Sequence, residues 1–292
     1  MPSSTGQPEW NAARIAGLLV RCGRYALAQW RAEDWRLKAD GSLLTKVDEA
    51  VERELTAELE NVGQGVHVIG EETVERRDEP YVARALAERA YVVDPIDGTA
   101  PFAHGIGYWG TSIGFMERGR LTHGGIIIPA QNELFVTDGE RVLWTDRLDL
   151  AATSAPDLRE LVPCFAPWNA GGMVALGQRL VQRHTFPWPN PTLVTGCAIN
   201  ALAYLLIGRL AAYLAHMKLW DFAAVLPMLL RCGGEARLVN GTPMTGVIDS
   251  QAVDLTPGSP SRWALRDECL FGPPAAFAEF YPAVCAHLHK ER

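Results

Sequence analysis

Apolar residues recur at helical spacing twice near the start of the chain. In NAARIAGLLVRCGRYALAQWR, Ile15, Leu18, Leu19, Cys22 and Tyr25 fall along one stripe, as in an amphipathic helix. The Gly-containing turn ADGSLL breaks that pattern. Val51, Leu55 and Leu59 then resume it at four-residue intervals, which predicts a second helix from about Asp48 to Glu60. Thr45 or Asp48 is placed to cap its start. From residue 66 the period shortens. VHVIG (66–70) and AYVVD (90–94) read as strands, and TSIGFM, HGGIII and ELFVT follow with turn residues between them. Two helices followed by clustered short strands predict a predominantly antiparallel sheet packed beside the helices.

The pattern changes near residue 150. PCFAPWNAGG and HTFPWPNPTLV, rich in Pro, Trp and Gly, predict irregular surface. A helix at about 198–208, a strand in LAAYLA and a helix starting near Asp221 predict an α/β arrangement. The expected division is therefore an N-terminal α+β lobe over 1–150 and a C-terminal α/β lobe over 151–292. The tail after about 245 suggests no role.

A chain of 292 residues with 48% hydrophobic content has ample material for such a core. Its net charge of −7 argues against a general affinity for nucleic acid or anionic membrane, which need clustered Lys and Arg. An anionic substrate is still admissible, because a metal ion supplies positive charge locally. The six cysteines are scattered with no C-x-x-C pair, so they read as free thiols in a reducing compartment. MPSSTGQPEW has neither the basic nor the apolar region of a signal peptide, and CAINALAYLLIG is too short to cross a bilayer before Arg209. A cytoplasmic protein is the expectation.

Four acidic residues stand at the ends of these elements: Glu71 after a strand, Asp94 ending one, Asp97 in the next turn and Asp221 opening a helix. Converging carboxylates repel, and their pKa values rise unless a cation neutralises them. Mg2+ fits, being a hard ion bound by carboxylates, waters and substrate phosphates. If a helix begins just after Gly98, the free N–H groups of Gly98 and Thr99 face an oxyanion beside that ion. Taken singly, each motif has a plainer reading. D-P-x-D-G-T is often only a turn, and an Asp at a helix start is often only a cap. The alternating oxygen ligands of a calcium loop are absent.

Together, GEE (70–72), DPIDGT (94–99) and WDFAA (220–224), in that order and spacing, resemble the inositol monophosphatase family of Mg2+-dependent, lithium-sensitive phosphatases. DGSLLTKVDEAVE (40–52), GRLAAYL and CGGEARLVNG (232–241) extend the likeness over roughly 35 to 245. The resemblance implies a layered α/β/α/β/α sandwich with the site between two lobes, a homodimer, and two to three Mg2+ ions. It implies metal ligation by Glu71, Asp94, the Ile96 carbonyl, Asp97 and Asp221. Phosphate would be bound by the backbone N–H groups of Gly98 and Thr99. Asp48 and the Thr99 hydroxyl would orient and deprotonate the attacking water, with Glu71 also in a catalytic role.

Lys38 leans toward the phosphate or is a solvated surface lysine. His104 reaches substrate or lies on a helix surface, and Glu72 supports the site or is solvated. Ala100 and Pro101 depart from the family's loop, D-G-T-T-N-F. Leu214 stands where inositol-selective members carry a glutamate, which weakens selection for a polyol. FAHGIGYWGTSIGF and AAVLPMLLRCGG are similar to the histidinol-phosphate phosphatase branch, whereas Cys197 replaces that branch's acidic residue. The candidate substrates are small phosphate esters: histidinol phosphate, inositol monophosphate or 3′-phosphoadenosine 5′-phosphate. The rival readings are a catalytically retired relative that only binds ligand, and a scaffold protein.

Overall fold

The computed structural model describes residues 10–31, 35–38 and 41–290. The signal-peptide reading of residues 1–9, and Ala39 and Asp40 of the ADGSLL turn, lie outside the described residues. In chain order the elements begin with α1 (Ala12–Gln29), β1 (Trp35–Leu37), β2 (Leu43–Thr45), α2 (Lys46–Leu59), β3 (Val66–Gly70), α3 (Glu79–Ala87), β4 (Arg89–Asp97) and α4 (Thr99–Ala103). Next come β5 (Gly110–Glu117), β6 (Arg120–Ile128), β7 (Glu133–Asp138), β8 (Arg141–Thr145), β9 (Arg159–Glu160), β10 (Val174–Leu176), α5 (Gln178–Arg183) and β11 (Thr192–Leu193). The last are α6 (Ala198–Leu206), β12 (Ala212–Ala215), α7 (Leu219–Phe222), α8 (Val225–Arg231), β13 (Glu235–Leu238), β14 (Cys269–Gly272), α9 (Pro274–Glu279) and α10 (Tyr281–Lys290).

The seven-stranded sheet runs β3 to β9 in sequence order, parallel between β3 and β4 and antiparallel elsewhere. The five-stranded sheet has the order β11-β10-β12-β14-β13. Three apolar clusters set the layers. One holds α1 and α2 against the outer face of the large sheet. The second joins its inner face, through α6 to α8, to the small sheet. The third covers the far face of the small sheet with α9 and α10. The result is the α/β/α/β/α sandwich. Ile15, Leu18 and Leu19 are fully buried in α1, each contributing about 1.5–3 kcal/mol by leaving water. Tyr25 is 45% exposed, and Ala26 takes its place on the buried stripe.

The tail after 245 has a structural role that its sequence did not signal. Its strand β14 sits inside the small sheet, antiparallel to both β12 and β13. The Trp263 carbonyl accepts the N–H of Leu219 at 2.8 Å, bracing the start of α7. Pairing over such a separation depends on partners that periodicity along the chain does not name.

Candidate active site

Thr45 caps α2, and Asp48 at the third helical position completes a reciprocal capping box. Its Oδ2 accepts the Thr45 N–H at 2.9 Å and also the Thr45 hydroxyl. The other oxygen, Oδ1, lies 3.1 Å from the Thr99 hydroxyl, which also lies 3.0 Å from the Ile96 carbonyl. One hydroxyl proton is therefore shared between a carboxylate and a main-chain oxygen. Burial raises the Asp48 pKa to about 6, partly offset by the Thr45 hydrogen bonds.

Strand β4 does not end at Asp94 but continues to Asp97. Asp94 pairs with Ser112 and Asp97 with Gly110, so three steps along β4 face two along β5. That β-bulge decides which face the two carboxylates share. In a regular strand, residues three apart point to opposite faces, and the extra residue resets the alternation. The Thr111 hydroxyl donates to the bulge carbonyl of Pro95 at 2.8 Å. Gly98 then turns into the left-handed region at φ 85°, and a Cβ there would meet the Tyr108 carbonyl at 2.5 Å. Helix α4 starts directly after it, so the expected helix start is present.

Asp221 arrives from the other sheet. It is the third residue of α7, where its Oδ2 accepts the Lys218 N–H at 2.7 Å. Its helix pair lies against β5 and β6 at Gly114 and Gly124, which face each other across the strands. A Cβ on Gly124 would lie 1.8 Å from the Ala224 carbonyl, so only glycine admits this approach.

Carboxylate oxygens of Asp94, Asp97 and Asp221 consequently lie within 4.8 Å of one another. Burial, followed by its acidic neighbours, holds Asp94 and Asp221 well above the usual carboxylate range. Burial also raises Asp97 to about 6, countered by the N–H groups of Ile199 and Ala198 at the start of α6. Asp94 Oδ1 is buried with no hydrogen-bond partner. An orphaned anionic oxygen facing two further carboxylates is a donor set that fits a hard divalent cation.

The sequence matches the inositol monophosphatase family over residues 5–264. The chain belongs to that family. Inositol monophosphatase family proteins are phosphoric monoester hydrolases. An inositol-1-monophosphatase of Mesorhizobium japonicum is 29% identical over 203 residues, covering 68% of this chain and 73% of that one. A fructose-1,6-bisphosphatase/inositol-1-monophosphatase of Thermotoga maritima is 24% identical over 222 residues, covering 74% and 80%. Among solved structures, a 2′AMP-bound staphylococcal IMPase-II superposes with a TM-score of 0.67 at 19% identity, covering 96% and 98%.

The remaining family positions divide in two. Glu71 stands beside the aspartate cluster, but its carboxylate is 2.9 Å from Lys38 Nζ, which also reaches Glu72 at 2.6 Å. Lys38 is therefore not a solvated surface lysine but is ion-paired at the edge of the site. Burial alone would lower its pKa, but Glu71 and Glu72 outweigh that and raise it. Glu72 is pushed to about 8 by burial and by Glu71. Cys197 is buried against Asp97, and burial raises its thiol pKa. His104 stays on the surface, with Nδ1 2.9 Å from the Ala100 carbonyl.

Leu214 does not come to the cluster. It is 1% exposed and packs with Val174, Leu176, Leu180 and Leu270 on the far face of β12. Sequence reasoning also missed Glu52, whose buried carboxylate accepts the Glu72 N–H at 2.8 Å and holds the turn after Glu71. Its signal was a glutamate one helical turn after Asp48, within the face that carries Leu55 and Leu59.

Proposed function

We propose that this protein is a Mg2+-dependent phosphomonoesterase that hydrolyses a small soluble phosphate ester by direct attack of water. The convergence of Asp94, Asp97 and Asp221 within 4.8 Å carries the reading. Glu71, Asp94, the Ile96 carbonyl, Asp97 and Asp221 are the proposed ligands of two to three Mg2+ ions. When bound, these ions supply Lewis-acid stabilisation of the phosphoryl oxygens and lower the pKa of water. The chain's own groups do the rest. Backbone N–H groups of Gly98 and Thr99, at the start of α4, hold the phosphate. The Thr99 hydroxyl and Asp48 Oδ1, 3.1 Å apart, orient the attacking water and take its proton. Asp48, with a pKa near 6, is ionised and able to accept that proton at neutral pH. No phosphoenzyme is required.

The same reading takes the protein as a cytoplasmic homodimer whose two lobes divide near residue 150. Its substrate belongs among histidinol phosphate, inositol monophosphate and 3′-phosphoadenosine 5′-phosphate. The test is phosphate release from these three esters with and without Mg2+, with Asp97→Asn as the blank. Mg2+-dependent release above the blank is expected. Release no greater than the blank from every ester would sink the enzyme reading. It would favour the second one, a relative that only binds ligand, to which the Lys38–Glu71 pair lends support.

A further inference from the structure

Beyond the carboxylates, one polar cluster remains that the proposed chemistry does not use. Helix α5 follows β10 through Gly177, whose N–H bonds to the Leu214 carbonyl at 2.9 Å. This ties the start of α5 to the end of β12. Because β10 and β12 are parallel, both chains leave the sheet at the same edge, and such edges are where α/β folds place ligands. His216, one residue past β12, lies five residues before Asp221 on the same connection. Extended chain bounds their separation at about 18 Å.

At this edge Arg179 Nη1 stands 3.1 Å from His216 Nδ1 and 3.4 Å from Nε2. Arg183 follows on the same helix and is likewise exposed. Burial and then Arg179 push the His216 pKa down to about 4, so the ring is neutral at pH 7. A guanidinium held by a neutral ring keeps its full charge. Most other anchored arginines have theirs balanced by a carboxylate, as Arg77 has by Glu60, Arg209 by Glu133 and Arg262 by Glu79. The carboxylates near this cluster, Asp267 and Glu268, are buried behind it, with Glu268 3.9 Å from His184. Among the described residues neither Arg179 nor Arg183 forms an ion pair.

We infer that Arg179, positioned by His216, forms an anion subsite for the alcohol half of the substrate, which therefore carries a second phosphate or a carboxylate. This rests on the phosphatase reading above. An arginine fork suits either group, since both accept two parallel N–H bonds. A neutral polyol would leave that charge unmatched. The position expected to select polyols, Leu214, lies inside the apolar layer two residues earlier on the same strand.

Two ester pairs test the subsite with the full chain in Mg2+. Fructose 1,6-bisphosphate against fructose 6-phosphate reads a second phosphate, and 2-phosphoglycerate against glycerol 2-phosphate reads a carboxylate. The wild type is expected to show the lower KM for the more anionic member of at least one pair. Arg179→Ala should raise that KM at least about 10-fold more than its partner's, the usual value of a charge-assisted contact. Arg179→Lys should restore part of the difference, and His216→Ala should weaken it. No preference in the wild type, or equal losses on both members of each pair, overturns the inference. Ligand-induced shifts in Tm with the same esters separate this from failure of the phosphatase reading. If nothing is turned over, a pairwise difference in shift that disappears in Arg179→Ala still supports the subsite, and equal shifts overturn it.

Discussion

The two ends of strand β4 treat charge in opposite ways. Where β3 and β4 begin, carboxylates meet hydrogen-bonding partners. His67 Nε2 is 2.9 Å from Glu88, and Arg77 is 2.8 Å from Glu60. The Tyr81 hydroxyl accepts the Val68 N–H at 2.9 Å and also bonds Glu60. Where β4 ends, like charges meet. Asp94, Asp97 and Asp221 share one small volume, and among the described residues no cation lies within ion-pair distance of Asp94 or Asp97. The first arrangement stabilises the fold by itself. The second is unfavourable until a cation joins it, which is the role proposed for it above.

The strongest way to break that comparison is to remove charge from the crowded end. Asp94→Asn keeps the side chain's shape and is expected to cut Mg2+-dependent phosphate release by at least about 10²–10³-fold, on the scale of losing one preorganised electrostatic group. In EDTA the same variant should melt above the wild type, because it relieves repulsion. A lower Tm in EDTA would mean that the cluster stabilises the fold unaided.

Metal and pH sharpen the same point. Asp48 and Asp97 are each raised to about 6, chiefly by burial, so protons bind the folded state more tightly than the unfolded one. Their contribution is fully present below pH 4 and lost as the pH rises through 6. In EDTA, Tm should therefore fall between pH 5 and 7.5. Mg2+ at one hundred times its Kd should return about 2.7 kcal/mol at pH 7.5, and less at pH 5, where protons compete. A scan in EDTA that rises across this window would contradict the raised carboxylates.

Changes at the paired end should move stability and spare chemistry. Tyr81→Phe leaves the Val68 N–H without its partner, for an expected cost of about 1–3 kcal/mol by urea denaturation. Glu88→Gln keeps an acceptor for His67 at a partly exposed site and should stay within about 1 kcal/mol. A loss of phosphate release in either variant at full folding would erase the distinction between the two ends.

Much of this was legible along the chain. Helix α2 and strand β3 follow from local periodicity, and the carboxylates of GEE, DPIDGT and WDFAA stand out because acidic residues rarely follow buried strands without a partner. Less was legible in the environment of each side chain. Lys38 could not be assigned, because its partners are 33 and 34 residues away across a turn. Leu214 was expected on the substrate side from its spacing to Asp221, but it lies on the face of β12 that packs against α5, α9 and α10. Arg179 and His216 belong to no motif. They meet only because β10 and β12 are neighbours.

The sequence by itself determined which residues are available for the proposed chemistry, since residue type and order are its own properties. The tertiary structure decided what those residues face. A strand alternates its side chains, so Asp94 and Asp97 share a face only through the bulge set by pairing with β5. Asp221 joins them only because Gly114 and Gly124 let a helix from the second sheet reach the first. Proximity across a fold is a property of packing, which no spacing along the chain specifies.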